Sequence, residues 1–146
     1  MNMSSRNPLD RLSDSFRIKV SMPPSTQHEI EALRASSELS LPQDYVDLVS
    51  SMTEVEISVE DLSYIRIWGA ARAQEMNEAY ELQVHIPRSL AVGDDEGGSA
   101  LVLMTGNQGF GLYLVGLGEL DVDDAQYIAP SLSEFLVKGV GLDVIR

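Results

Sequence analysis

The sequence predicts an α+β fold, with a mostly antiparallel central sheet of about five to six strands and helices packed around it. Three observations carry that expectation. The first is residues 97–118, which hold no charged residue in a chain that is otherwise rich in them. Two apolar runs, residues 100–104 and 112–115, are separated there by Thr105, Gly106, Asn107, Gln108 and Gly109. Gly reaches positive φ without steric cost and Asn tolerates it, so the segment reads as a hairpin. Its lack of polar alternation says that both faces are buried. A membrane span would also be uncharged over such a length, but seven glycines with Asn107 and Gln108 interrupt this one. The second observation is a switch of hydrophobic period from helical to two after Met52. The third is that helix signals flank the strands rather than alternating regularly with them, which favours α+β over a doubly wound sheet.

At 146 residues the chain is long enough for one domain with a real core. Residues 1–22 read as a flexible N-terminal arm, with an added strand at 16–20, and residues 23–146 as the single domain. There are no cysteines, so disulfides and thiolate metal sites are excluded. The N-terminus shows no apolar signal core, and a cytoplasmic location is expected.

The charge is uneven. Residues 1–20 carry a net +2, and the remainder carries −15. Such a field repels nucleic acid and membranes and speeds encounter with basic partners.

In chain order, Pro23-Pro24 stops any regular element. Thr26 and Glu29 form a capping-box pair opening a helix with Ile30 and Leu33 facing inward. Ser40 and Gln43 suggest a second box, with Pro42 in the first turn. Tyr45, Leu48, Val49 and Met52 then make an apolar stripe at i, i+3, i+4 and i+7. Val55, Ile57 and Val59 alternate with Glu54, Glu56 and Ser58, a strand with one acidic face. Glu60-Asp61 connects it to a strand at 62–68. That strand has Ile65 and Ile67 on one face and Tyr64, Arg66 and Trp68 on the other. Gly69 ends it. A helix follows over 70–80, with Ala73, Met76 and Tyr80 inward. Leu82, Val84 and Ile86 alternate, so a strand closed by Pro87 is expected, then a short strand at 90–92. Ser131 and Glu134 form a third capping pair. It opens a last helix with Leu132, Phe135 and Leu136 inward, ended by Lys138 and Gly139.

No catalytic constellation is readable. His28 and His85 stand alone, each better read as a surface residue than a base. The loop at 106–111 matches neither the dinucleotide fingerprint nor the phosphate loop, and it joins two strands instead of opening a helix. The acidic runs 94–96 and 121–124 lack the calcium-loop spacing and read as solvated charge. No metal, cofactor or catalytic residue is therefore assigned. The basic patch of a nucleic-acid binder is missing. What remains is a binding surface built from three acidic groups on strand edges and loops: Glu54, Glu56, Glu60 and Asp61; Asp94, Asp95 and Glu96; and Asp121, Asp123 and Asp124. Trp68 joins them as a candidate interface anchor, against the alternative that it lies buried under a helix.

The order of landmarks carries a resemblance. Glu29, Ile30, Glu31 and Leu33 lead to Leu41-Pro42, Tyr45 and Leu48. Ile67-Trp68-Gly69, Asn77, Tyr80, Ile86-Pro87 and Leu90 follow. Val92-Gly93-Asp94-Asp95-Glu96-Gly97-Gly98 then precedes the strand at 112–115 and the closing Ser133-Glu134-Phe135-Leu136. Over residues 25–138 the chain resembles the SUKH superfamily, which includes fungal cell-wall-assembly regulators and bacterial toxin-immunity proteins. The resemblance implies helices around an antiparallel sheet and a non-enzymatic role: binding a toxin domain, often a nuclease, and blocking it. The implied partner is a basic toxin domain. The alternative is a regulatory or scaffold interaction domain without a toxin, as among the fungal members. An enzyme or small-ligand binder using residues 94–96 stands third.

Overall fold

The computed structural model describes residues 7–145. Seven strands form one sheet in which each pairs antiparallel with the next in sequence order: β1 (Phe16–Met22), β2 (Thr53–Val59), β3 (Ser63–Ile67), β4 (Leu90–Asp94), β5 (Ser99–Gly106), β6 (Gly109–Gly116) and β7 (Gln126–Ala129). The helices are α1 (Gln27–Ser36), α2 (Gln43–Val49), α3 (Ala70–Ala79), α4 (Leu82–His85), α5 (Leu132–Lys138) and α6 (Leu142–Ile145). Short 3-10 turns at Pro8–Arg11 and Val122–Asp124 complete them. The α+β class holds, with seven strands where five to six were expected. The strand not read from the sequence is β7.

The uncharged segment is the middle of the sheet. β5 and β6 pair over their full length, from Ser99↔Gly116 to Gly106↔Gly109. No residue from 100 to 104 exceeds 1 % exposure, as unalternated apolar strands require. The turn is tighter than expected: Thr105 and Gly106 belong to the ladder, leaving only Asn107 and Gln108 between the strands. Away from this core the sheet changes character. β2 alternates buried Val55, Ile57 and Val59 with partly exposed Glu54 and Glu56, though Ser58, expected on the same solvated face, is buried, and on β3 Tyr64 is 44 % exposed. The β1–β3 end therefore keeps one face open to solvent.

Part of the stretch read as an arm takes part in the sheet. Its first six residues lie outside the described ones. Pro8–Arg11 forms a 3-10 turn and packs near α5, Phe16 meets Phe135 edge to face at 5.2 Å, and Phe16–Met22 is the strand β1.

Local signals worked where they were complete. Thr26 accepts from the Glu29 amide (3.1 Å) and Glu29 from the Thr26 amide (2.8 Å), a full capping box. Gly139 closes α5 at φ 71°. The Ser40/Gln43 pair does not cap: Pro42 occupies the N-cap position of α2, without a side-chain bond, and Gln43 donates to Asp47 (2.7 Å). At α5 only half of the box forms. Ser131 accepts from the Glu134 amide (3.1 Å), while Glu134 pairs with Lys138 one turn on (3.0 Å).

The clearest correction concerns residues 82–86, expected as a strand and found as the short helix α4. Leu82 and Ile86 are each 1 % exposed and Val84 is 74 % exposed, so the buried spacing is four residues and not two. Tertiary structure decides this. β3 reaches β4 over only two pairs, Arg66↔Asp94 and Ile67↔Gly93. Beyond them the β4 backbone would lie open, but Asn77 of α3 takes the place of a strand there. Its side-chain amide donates to the Ala91 carbonyl (2.9 Å) and accepts from the Ala91 amide (3.0 Å). Gln83 of α4 donates to the Ser89 carbonyl (2.9 Å) and to Asn77 (3.0 Å). With that edge satisfied by side chains, residues 82–86 have no ladder to join. The inward face of α3 is accordingly Ala70, Ala73 and Asn77, while Tyr80, expected inside, is 40 % exposed.

Candidate partner-binding surface

β2 and β3 are joined by a loop at 60–62, so residues equally far from it face each other: Glu56 lies opposite Arg66. Arg66 in turn lies opposite Asp94 on β4. One row across three strands therefore reads Glu56, Arg66, Asp94. Glu96, just past β4, folds back toward the same guanidinium. Arg66 lies 3.2 Å from Glu56 and 3.8 Å from Glu96. Two carboxylates thus share one cation, while Asp94, opposite Arg66 in the ladder, is held by the Trp68 indole and the Glu96 amide, so the row keeps a surplus of carboxylates over cations. Glu96 is raised above the usual carboxylate range. Burial is the main cause, then a hydrogen bond and repulsion from Glu56, with Asp94 adding to it and Arg66 opposing it.

The sign follows. An acid raised in the folded state costs stability when ionised, and that cost disappears as pH falls through the raised value. Glu96→Gln is therefore expected to stabilise the chain slightly at neutral pH and to flatten its stability profile just above the ordinary carboxylate range. Urea midpoints from pH 4 to 7 would measure it, and an unchanged profile would contradict the shared-cation geometry.

The loop at 94–99 that presents these groups is built by its own carboxylates. Asp94 accepts from the Glu96 amide (2.8 Å), and Asp95 accepts from the amides of Gly97 (2.8 Å) and Ser99 (3.0 Å). Gly93 has to be glycine, because a Cβ there would meet the Arg66 carbonyl.

Trp68 holds this loop to the core. It is 1 % exposed and so offers no surface to a partner, against its reading as an interface anchor. The indole N–H donates to Asp94 (2.7 Å), the backbone N–H donates to Val92 (2.8 Å), and the carbonyl accepts from the Tyr45 hydroxyl (2.8 Å). Tyr45 stays protonated, since burial and the nearby Glu54 push its phenol up. Trp68→Phe should keep most of the apolar packing and remove the Asp94 donor. The expected cost is about 1–2 kcal/mol, with faster amide exchange at 95–99.

The other candidates separate from this row. Glu54 stands in a bulge of β2 at φ 46°, which turns its carboxylate to the start of α3. It accepts from the Gly69 amide (2.8 Å) and lies 3.0 Å from Arg72. Its charge thus serves a helix N-terminus and a cation of its own. A cleft of about 240 Å³ lies beside it, lined by Met22, Pro24, Thr53, Gly69 and Arg72 among others. Ser15 donates to Glu60 (3.4 Å) and Ser58 to Asp61 (3.4 Å), which ties the loop to β1 and β2. The third group lies elsewhere. Asp121 caps its own turn by accepting from the Asp123 amide (2.9 Å), and Asp123 and Asp124 are exposed. Val122, between Asp121 and Asp123, lines a cleft with Arg88 and Thr105. Thr105 is six residues along β5 from Ser99, about 20 Å at strand rise. The structure therefore joins Glu56 of the first acidic group to the second group, and leaves Glu54, Glu60, Asp61 and the third group apart. Among the described residues no group of three or more His, Asp or Glu is arranged to hold a metal ion, and no helix is long and apolar enough to cross a membrane.

Arg66 is the member that sequence reading missed. Its place opposite Glu56 was within reach, since hairpin register follows from counting outward from the loop.

Comparison with known protein families matches residues 24–138 to the SMI1 / KNR4 family (SUKH-1). The chain belongs to that family. The match covers most of this SUKH-1 chain, from the proline pair before α1 to the end of α5, and so includes the whole acidic row. β1 lies ahead of it. A comparison with curated proteins finds no match.

Proposed function

We propose that this SUKH-1 protein is a non-enzymatic binding protein. On this reading it is an immunity protein that neutralises a cognate, nuclease-type bacterial toxin by direct binding through its acidic surface. The observation that carries the reading is Glu56 and Glu96 paired to a single arginine, with Asp94 next to it in the same row, on an open sheet face of a family domain. A nuclease site is cationic because it holds phosphates, and a surface with spare carboxylates can occupy the same field. Rigidity supports it. The loop is fixed by its own backbone bonds and by Trp68, so little order has to be gained on association.

The test is co-expression with the toxin domain encoded beside this chain, followed by co-purification and by association rates at two ionic strengths. Protection, a stable complex and an on-rate that falls steeply with salt are expected. Failure to protect together with failure to co-purify overturns the reading and leaves the regulatory or scaffold alternative.

A further inference from the structure

The sheet has two edges, and the described residues cover one of them. Along β7, Gly141 approaches so closely that a Cβ would overlap the Ile128 carbonyl, and α5 and α6 both pack on that strand. Along β1 every residue from Arg17 to Met22 is exposed. Ile18, Val20 and Met22 are 39, 55 and 55 % exposed. A bare edge presents unpaired backbone N–H and C=O groups, a template for another strand. Register adds detail: Ile18 lies opposite Ile57 and Val20 opposite Glu56, so Lys19 is an inserted residue. That insertion moves the alternation by one. Ile18 is left at the rim of the core face, and Val20 lies on the open face beside the acidic row.

The charge on this edge is the reverse of the rest of the molecule. Arg34, Arg66, Arg72 and Lys138 each have a carboxylate within ion-pair distance. Among the described residues Arg17 and Lys19 have none, as Arg88 has none elsewhere, and they stand two residues apart on one strand in a chain of net charge −13. A lysine and a bulge on an edge discourage indiscriminate pairing, so whatever pairs there has to answer the charge.

We propose that the free edge of β1 is a strand-addition site for an extended segment of a partner protein in which carboxylates alternate with apolar side chains. Backbone pairing would supply affinity, and Arg17, Lys19 and the exposed Ile18 and Val20 would supply selectivity. A second copy of this chain fits less well. Antiparallel self-pairing would put Arg17 and Lys19 of both copies in one ladder with no carboxylate, and like charges across a ladder repel. The proposal does not depend on the acidic row binding a toxin.

The experiment titrates two blocked heptapeptides into the full chain, one alternating Glu with Val and one alternating Lys with Val. Backbone amide exchange across β1 is read alongside affinity. The Glu/Val peptide is expected to bind at least tenfold more tightly than the Lys/Val peptide and to slow exchange in β1. Proline at its centre should abolish binding, since it removes a ladder donor. In the doubly substituted Arg17→Glu, Lys19→Glu chain the order of the two peptides should reverse. If that variant fails to fold, the comparison on the unmodified chain still decides. The proposal is overturned if neither peptide binds, if both bind alike, or if protection appears away from β1. It is also overturned if sedimentation finds the free chain dimeric with its β1 amides already protected.

Discussion

Reversing two charges on the acidic row, Glu56→Lys with Glu96→Lys, is expected to weaken the complex with a cognate toxin domain at least a hundredfold, about 2.7 kcal/mol or more. The reason lies in the count around Arg66. In the native chain Glu56 and Glu96 share that guanidinium with Asp94 beside them in the row, and the surplus is what a cationic partner meets. In the variant two ammonium groups and the guanidinium face Asp94 alone, so attraction turns to repulsion. The residues replaced are partly exposed, and solvent-screened pairs of this kind contribute about 0–1 kcal/mol to folding. Affinity should therefore fall far more than stability. The measurement is calorimetric titration at low and high salt, with thermal unfolding of the free variant beside it. Asp123→Lys with Asp124→Lys is the matched control. It changes net charge by the same amount at the distant group and should leave affinity within about threefold once salt screens the long-range field. Equal losses in the two variants would mean that net charge matters and the row does not.

Asn77→Leu is expected to be the most damaging single substitution to the fold, at roughly 3–5 kcal/mol. Leu nearly matches the shape and removes every polar atom. The amide and carbonyl of Ala91 then lose their partners in a buried place, each at about 1–3 kcal/mol. Gln83 loses one acceptor as well. Asn77→Asp should also be severely destabilised, for a different reason. It can still accept from the Ala91 amide, but its second oxygen faces the Ala73 and Ala91 carbonyls that now receive the Asn77 amide. Urea unfolding of both variants checks this. A loss under about 1 kcal/mol for Asn77→Leu would mean that water or a shifted β3 can complete the β4 edge.

These two sites differ in how visible they are from sequence. Glu56, Asp94 and Glu96 were legible as surface carboxylates because a period of two puts alternate residues on one face and because acidic loops solvate themselves. That they converge on Arg66 was not read, since convergence needs the register of β2 with β3 and then of β3 with β4. Trp68 was legible as large and placed on a strand face. Its burial followed from Tyr45, Val92 and Asp94 closing around it, contacts reaching up to 26 residues away in sequence. Asn77 was legible only as a landmark of the resemblance, and its pairing with β4 was not. An asparagine inside a helix has no local signature of pairing with a strand 14 residues away. Missing it also misassigned residues 82–86, where an alternating apolar pattern looked like a strand in want of a neighbour. β7 was missed because four residues are too short for a periodicity to declare itself.

The sequence alone determined the elements whose cause is local. These are the buried hairpin of β5 and β6, from uncharged apolar runs around a turn; the capped start of α1, from Thr26 and Glu29; the glycine stop of α5; and the acidic character of the surface. Tertiary structure alone decided which backbone groups would find partners and which charges would meet. It gave the β4 edge to Asn77, one arginine to two carboxylates with a third beside it, and, among the described residues, a cover to β7 but none to β1. The physical reason is that period and capping are set within one or two turns of chain. Register, edge protection and charge convergence depend on residues brought together from far apart in sequence, by the burial of a shared core.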